Sequence, residues 1–270
     1  MCDHSTWITL VEASWRLGDR LLVLSAPNLR GDDVGELQSA LGRLGFDCGR
    51  VDGILGPATT RAVADFQRNC GLPVDSVCGP DTVRALGVLA RQSGSGPGVA
   101  ALRELEALTS TRRALSDLRV VVGQFGGLSA LARQLTHALR LRGATVAPTD
   151  EPDASAQAAA ANRFAATLYL GFEASSAPGS RVCYYAVPSF ESVGGRSLAI
   201  AMEHAFDSTG LSLEVRGMRL PVLRETRMPA VLCTVGPVQR VIDATPTIVD
   251  AVVVALERWA DAPLGAAPAS

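Results

Sequence analysis

Apolar residues recur at two different periods along this 270-residue chain, and the change of period divides it. In the first third they lie three and four residues apart, the spacing of one helix face. Three such stripes are Val34, Leu37, Leu41 and Leu44; Ala62, Val63 and Phe66; and Val83, Leu86 and Leu89. Further on, short apolar runs alternate with helical stripes. The pattern predicts a small all-α three-helix bundle followed by an α/β domain, with a mostly parallel sheet flanked by helices.

The second part is predicted to contain at least nine regular elements. Strands are expected at Leu118–Val122, Ala144–Ala147, Ala166–Phe172, Arg181–Val187 and Pro229–Val235. Helices are expected at Ser129–Leu141, Ala154–Ala165, Leu198–Phe206 and Thr247–Trp259.

Residues 92–98, Gln followed by a run of Gly, Ser and Pro, have the composition of a linker and set the predicted domain boundaries. The predicted organisation has five parts. These are an N-terminal segment (1–30), a helical module (31–91), a linker with a connector helix (92–116), the α/β domain (117–260) and a flexible tail (261–270).

The helical module contains the motif Val-Asp-x-x-x-Gly-Pro-x-Thr twice, at 51–59 and 74–82. The aspartates, Asp52 and Asp75, start tight turns, and Gly-Pro then leads into a helix with Pro in its first turn. Each aspartate is a candidate ligand contact or a cap for its own turn. Gln67 is the preferred ligand contact, because it is polar and adjoins the core residue Phe66.

Composition narrows the possible functions. Apolar residues make up 47% and charged residues 19%, which indicates a globular protein, and a net charge of −2 excludes a general affinity for nucleic acid. The six cysteines show no Cys-x-x-Cys spacing, so free buried thiols are expected. Residues 1–6 lack a basic signal region, and no run of 18 apolar residues occurs. A cytoplasmic protein without membrane-spanning helices is expected, with export by an unrecognised route as the alternative.

Leu37-Gln38, Gly45-Phe46, Phe66-Gln67 and the two repeats together resemble the peptidoglycan-binding domain type 1 pattern over about 55 residues. One departure is Ser76, where that family has glycine. The resemblance implies that peptidoglycan fragments or precursors are partners, with Asp52, Gln67 and Asp75 as candidate contacts.

The second part is similar to the zinc-dependent N-acetylmuramoyl-L-alanine amidases of the amidase 3 family, on the residues 139–146, 162–170 and 229–232. That family binds zinc through two histidines and a glutamate and uses a further glutamate. The turn of the first histidine is here Gly123-Gln124-Phe125, and the insert with the glutamate ligand is missing. Glu173 stands for the second histidine, and Thr234 for the catalytic glutamate. We therefore predict neither a catalytic zinc nor any other cofactor, with His137 and His204 as surface or packing residues.

Together these features resemble the CwlM-type actinobacterial subgroup, on the phrases at 15–18, 31–34 and 223–229. The subgroup implies a non-catalytic, amidase-like regulator of peptidoglycan synthesis, with a cell-wall synthesis protein as a second expected partner. The competing hypothesis is a working amidase that cleaves the bond between muramic acid and the stem peptide and holds zinc.

Two further stretches suggest binding sites. Gly123 opens a strand–glycine–helix stretch that superficially suits a nucleotide phosphate, but the third and sixth positions are Phe125 and Leu128, not glycine. Arg224 and Arg227 flank the strand that corresponds to the family's active-site strand. They are candidate anion contacts, or they pair with Glu225 and neighbouring acids.

Overall fold

The computed structural model describes residues 15–92, 99–109, 113–177, 179–187 and 190–264. The chain divides into two compact units, residues 1–102 and residues 103–270. Residues 93–98 of the linker predicted at 92–98, and most of the predicted tail, lie outside the described residues. Among the helices described, none is long and apolar enough to cross a membrane.

The first unit is built on three helices, α1 (Asp32–Arg43), α2 (Pro57–Asn69) and α3 (Pro80–Gln92). Proline opens α2 and α3, because a helix leaves its first N–H groups unused and tolerates proline there. Two aspartates in the first turn of α1 stabilise the helix, because their negative charges lie at the positive end of its dipole. The predicted three-helix bundle is confirmed. Its core includes Val34, Leu37, Leu41, Val63, Phe66 and Leu86.

Residues 15–30 pack against these helices and belong to the same unit, although the sequence prediction set 1–30 apart. Leu22 is 1% exposed, and its backbone exchanges hydrogen bonds with Cys78. Leu29 accepts a hydrogen bond from the backbone N–H of Leu55 at 2.9 Å. The turn in each repeat therefore finds a backbone partner in this segment. Residues 1–14 lie outside the described part.

The connector helix α4 (Val99–Thr109) is shorter than the predicted connector and is anchored on the second unit. Its Glu104 carboxylate accepts hydrogen bonds from the Ser192 hydroxyl at 2.6 Å and from the N–H groups of Val193 and Gly194 at 3.1 and 3.2 Å. These N–H groups lie at the start of a long helix, where backbone donors lack helical partners. Glu104 thus caps that helix from outside.

The second unit alternates strands and helices. Its strands are β1 (Arg119–Phe125), β2 (Thr145–Thr149), β3 (Leu168–Ala174), β4 (Ser180–Val187), β5 (Phe190–Glu191), β6 (Leu213–Met218) and β7 (Ala230–Val235). Its helices are α5 (Ser129–Leu141), α6 (Ala154–Arg163), α7 (Val193–Phe206), α8 (Pro221–Glu225), α9 (Val238–Asp243) and α10 (Thr245–Asp261), with short 3-10 turns at Leu115–Asp117 and Asp207–Thr209.

The strands form one sheet in the order β2-β1-β3-β7-β4, and β4 also pairs with β6 and with the short β5. β2, β1, β3 and β7 run parallel, β4 is antiparallel to β7, and β6 is parallel to β4. The predicted mostly parallel sheet flanked by helices is confirmed.

Each face of the sheet packs against different helices. Even-numbered positions of β1 and β3, such as Val122 and Leu170, join the core formed with α5, α7 and α10. Odd-numbered positions, such as Val121 and Tyr169, join a smaller core with α6 and α8. Successive side chains of a strand point to opposite faces of the sheet. A shift of one residue in the strand register would therefore move each side chain into the other core.

Candidate functional site

The carboxyl ends of β1, β3 and β7 bring three of the four predicted amidase-site positions into one row. Phe125 lies opposite Glu173, and Glu173 lies opposite Thr234. On the far side, Thr234 lies opposite Arg181 of β4. Residues directly opposite across adjacent strands share a sheet face. We call Phe125, Glu173, Thr234 and Arg181 the polar row.

Gln124, the fourth position, is not part of the polar row. It pairs with Phe172, whose side chain belongs to the core on the opposite face of the sheet. The Gln124 side chain accepts a hydrogen bond from the Leu128 N–H at 3.1 Å and so closes the turn before α5. Its role in this structure is local.

The chemistry of the row does not fit a catalytic zinc. Such a site needs three protein ligands, usually nitrogen, sulfur or carboxylate oxygen. Glu173 is the one carboxylate in the row, and its Oε2 accepts a hydrogen bond from the Thr234 hydroxyl at 3.1 Å. His137 and His204 are exposed on α5 and α7, as predicted. Within the described ranges no group of three His, Cys, Asp or Glu could hold a metal ion.

A buried polar network, which the sequence did not reveal, lies beside the end of β1. Gln157 on α6 is fully buried, and its Nε2 donates to the Gln124 carbonyl at 3.1 Å and the Glu151 carbonyl at 2.6 Å. Its Oε1 accepts from the Tyr169 hydroxyl at 2.7 Å. Burial raises the pKa of Tyr169 far above its ordinary value of 10, so the phenol stays a neutral donor. A glycine inside β1, Gly123, was the available signal, since glycine in a strand marks close approach.

Arg224 and Arg227 lie away from the polar row. Both precede β7, so they lie at its amino end, whereas Thr234 lies near its carboxyl end. Thr234 lies four residues along β7 from Ala230, which is about 13 Å at the usual rise. Arg224 is 4% exposed and pairs with Glu225 at 2.9 Å, so the pairing interpretation holds for this residue. Both arginines therefore flank β7, as predicted, but at its amino end. The anion contact proposed for Arg227 stays a prediction.

Gln67 lies inside the helical module with its amide already in use. It is 1% exposed, and its Nε2 donates to Asp75 Oδ1 at 2.7 Å and to Thr82 Oγ1 at 3.1 Å. Its Oε1 accepts from the Ser76 N–H at 2.9 Å. Gln67 adjoins the core, as predicted, but its side chain is buried and its amide is already bonded within the module, so the choice of Gln67 as a ligand contact is corrected. Ser76 itself has a left-handed backbone (φ 62°), the conformation that favours the glycine found in the related family.

Gln38 repeats this arrangement in the first motif. It is 1% exposed, and its Nε2 donates to Asp52 Oδ1 at 2.9 Å and to Thr59 Oγ1 at 3.1 Å. Its Oε1 accepts from the N–H groups of Asp52 and Gly53 at 3.0 and 2.8 Å. Gln38 was not among the predicted contacts, although Leu37-Gln38 and Phe66-Gln67 are matching pairs ahead of the two motifs. Each copy of the motif therefore forms the same Gln–Asp–Thr hydrogen-bond network.

Each aspartate accepts a hydrogen bond that closes the turn it starts. Their pKa values shift in opposite directions, because Asp52 is the more buried of the two. Asp52 Oδ1 accepts from the Ile54 N–H, and Asp75 Oδ1 from the Val77 N–H, both at 2.9 Å. Burial raises the pKa of Asp52 above its ordinary value of 3.8. Asp75 is exposed, and hydrogen bonds from the Val77 N–H and the Gln67 amide lower its pKa below 3.8.

Opposite pH effects on stability are expected from Asp52 and Asp75. The stabilising contribution of Asp75 is present above pH 3.8 and is lost as pH falls through its lowered pKa. That of Asp52 is present below pH 3.8 and is lost as pH rises through its raised pKa. Near neutral pH, Asp52→Asn should therefore raise the urea midpoint of the module, and Asp75→Asn should lower it. Both differences should shrink near pH 3. Shifts of the same sign at neutral pH would contradict the assignment.

Comparison with known proteins gives matches to both units. Residues 30–86 match the family described as "Putative peptidoglycan binding domain". The chain is 33% identical over 268 aligned residues to the protein named N-acetylmuramoyl-L-alanine amidase CwlM of Mycobacterium tuberculosis, covering 86% of this chain. The chain spans 65% of the length of that relative. A spore cortex-lytic enzyme of Bacillus cereus is 51% identical over 47 residues, 17% of this chain and 18% of that enzyme.

Solved amidase structures resemble about half of the chain. N-acetylmuramyl-L-alanine amidase Ami1 from Mycobacterium smegmatis has a TM-score of 0.46 and 15% identity, covering 53% of this chain and 96% of that one. The catalytic domain of CwlV from Bacillus (Paenibacillus) polymyxa var. colistinus has a TM-score of 0.44 and 21% identity, covering 54% and 99%.

Proposed function

We propose that this chain is a non-catalytic, peptidoglycan-binding, amidase-like protein that regulates cell-wall synthesis. The observation that carries the proposal is the polar row. Where the resembling amidases need converging zinc ligands, Glu173 lies between a phenylalanine and a threonine. A single carboxylate holds a divalent ion weakly, and neither Phe125 nor Thr234 supplies an imidazole or a second carboxylate.

Peptidoglycan fragments or precursors are the proposed ligand. Support comes from the helical module, whose residues 30–86 match a peptidoglycan-binding family and whose two motif networks are complete. A protein that recognises the polymer but lacks the reaction can act by reporting on its supply to other components. A cell-wall synthesis protein is therefore the proposed second partner. The cytoplasmic location expected from the sequence remains a prediction.

The competing function is an active amidase, which the name of the Mycobacterium tuberculosis relative supports. Metal analysis and a release assay separate the two. After purification in zinc and dialysis, we expect the chain to retain far less than one zinc per molecule and to release no stem peptides from purified sacculi. An active amidase of the same family serves as the positive control. Stoichiometric zinc together with stem-peptide release would overturn the proposal.

Regulation is tested in cells. Depletion of the chain should change the pool of peptidoglycan precursors, measured by mass spectrometry, and the wild-type gene should restore it. Unchanged precursor pools on depletion would contradict a regulatory role.

A further inference from the structure

A cavity of about 380 Å³ lies between α7 and the carboxyl end of α10. One stripe of α7 forms the first wall, and it includes Ser197, Ile200 and His204 at helical spacing. The second wall comes from the end of α10 and the residues that follow it, including Trp259 and Leu264. A cavity of this size is at the lower end of the range for small-molecule sites.

The cavity and the polar row lie on opposite sides of the sheet. α7 and α10 pack on the core that contains Val122 and Val235, whereas Phe125 of the polar row packs against the core formed with α6 and α8. A ligand of the cavity is therefore recognised by residues other than those of the amidase-like positions.

The charged residues around the cavity form two groups. Near the start of α7, Glu191 and Arg196 both bond to the Tyr184 hydroxyl, so their charges offset each other. Farther along, His204 and Arg258 are exposed, and within the described ranges neither side chain forms an ion pair. An anion that enters the cavity therefore meets an unneutralised cation at His204 and Arg258, and a guanidinium suits a phosphate or a carboxylate.

One polar atom in the cavity wall has no hydrogen-bond partner among the described residues. It is the indole Nε1 of Trp259, a residue that is 2% exposed. Buried N–H groups almost always have an acceptor, because an unpaired buried donor is costly. An acceptor on a bound molecule would supply the missing partner. Since Nε1 is closed to solvent, the indole has to rotate slightly to reach that acceptor, and its magnetic resonance signal can report the change.

We propose that this cavity binds a small amphipathic anion from solution, an alkyl phosphate or an alkyl carboxylate. The anionic head group lies against Arg258 and His204, and one of its oxygens accepts the indole N–H of Trp259. The alkyl chain lies along Ile200 toward Leu264, which is 39% exposed. Charge-assisted hydrogen bonds give recognition of the head group, and removal of apolar surface from water adds to the affinity. The proposal depends neither on peptidoglycan binding nor on the polar row.

The test uses octyl phosphate and the complete chain with isotope-labelled tryptophan indoles. The chain has three tryptophans, and Trp259→Phe identifies the signal of Trp259. Octyl phosphate should shift that signal saturably. Octyltrimethylammonium has the same alkyl chain with the opposite charge, and inorganic phosphate has the charge without the alkyl chain. Each of these should bind at least about tenfold more weakly than octyl phosphate.

Variants assign the two ends of the contact, with affinities measured by calorimetry. Arg258→Met should weaken octyl phosphate about tenfold, because it removes the guanidinium and keeps an apolar stem. Arg240→Met removes an exposed cation of α9 and should leave the affinity unchanged. Trp259→Phe should weaken binding about threefold to tenfold, the value of one hydrogen bond. Thermal melting identifies any variant with a damaged fold.

Three outcomes would overturn the inference. They are an indole signal of Trp259 that does not move, an equal shift with the cationic probe, and equal affinities of Arg258→Met and Arg240→Met. Sedimentation with phosphatidic acid vesicles tests the source of the head group. The chain should stay in the supernatant, and co-sedimentation that is lost in Arg258→Met would replace the soluble ligand by a membrane surface. The sacculus and release assays are unaffected by these outcomes and test the proposed function separately.

Discussion

Replacing Gln38 by methionine should unfold most of the helical module, although the substitution preserves the side-chain size. The change leaves the N–H groups of Asp52 and Gly53 without their acceptor and removes the donor to Asp52 Oδ1. Each buried polar group left without a partner costs about 1–3 kcal/mol, so the total should be about 3 kcal/mol or more. A unit of this size has little stability beyond that. Hydrogen exchange of the amides in α1, α2 and α3 measures the loss within the whole chain.

The second repeat supplies a matched control for this substitution. Gln67→Met removes the same amide, but Gln67 accepts only from Ser76, and its partner Asp75 is exposed, so water can replace part of the network. We expect a cost of about 1–2 kcal/mol there. Arg61→Ala, at an exposed position of α2, should have almost no effect. Equal losses of protection in Gln38→Met and Gln67→Met would contradict the difference in burial.

Gly123→Ala should destabilise the α/β domain strongly, although alanine adds one methyl group. A Cβ at this position would lie 2.1 Å from Gln157 Oε1 and 2.4 Å from the Tyr169 hydroxyl, and both side chains are fully buried. Overpacking a core costs about 1–3 kcal/mol or more, which for a domain of this size lowers the melting temperature by about 4–10 °C. Differential scanning calorimetry measures the shift.

Two further variants show whether the collision itself is the cause. Gly87→Ala in α3 meets no atom within 4 Å and should be neutral or stabilising, because alanine favours helix. Gln157→Ala removes the nearest atom in the collision, so Gly123→Ala should cost less in that background than alone. Additive costs in the double variant would show that Gln157 is not the obstacle.

Strongly periodic elements were predictable, and elements without their own period were not. The helix Ser129–Leu141 was predicted with both of its ends, because its apolar stripe stops just before Gly143. β6 was missed: Leu213 and Val215 alternate with charged residues, a pattern that resembles a polar loop. Among the described strands, β6 pairs with β4 alone. It lies at an edge of the sheet, where alternate side chains face solvent and are polar. Helices of five and six residues, α8 and α9, are too short to show a helical period.

The site was predictable in its location but not in its orientation. Parallel strands end at the same edge of a sheet, so the sequence positions after β1, β3 and β7 had to meet there. The strand register then decides the face, and a difference of one residue puts Phe125 beside Glu173 and turns Gln124 to the opposite side. Arg181 was missed because an antiparallel neighbour brings its first residues, not its last, to that edge. Gln67 was predicted to contact a ligand, but its side chain is buried. Its amide forms hydrogen bonds with the backbone of the turn, accepting from the Ser76 N–H and donating to the Val77 carbonyl.

The segment 15–30 determines how this protein can be divided. A fragment cut at residue 30, where the family match begins, would lose Leu22 from the core and the carbonyls that receive the N–H groups of Leu55 and Cys78. It would also leave the buried Asp33 carboxylate without its ion-pair partner Arg20. The smallest transplantable unit is therefore longer than its family signature, and a fusion or an isolated fragment has to include Arg20, Leu22 and Leu29.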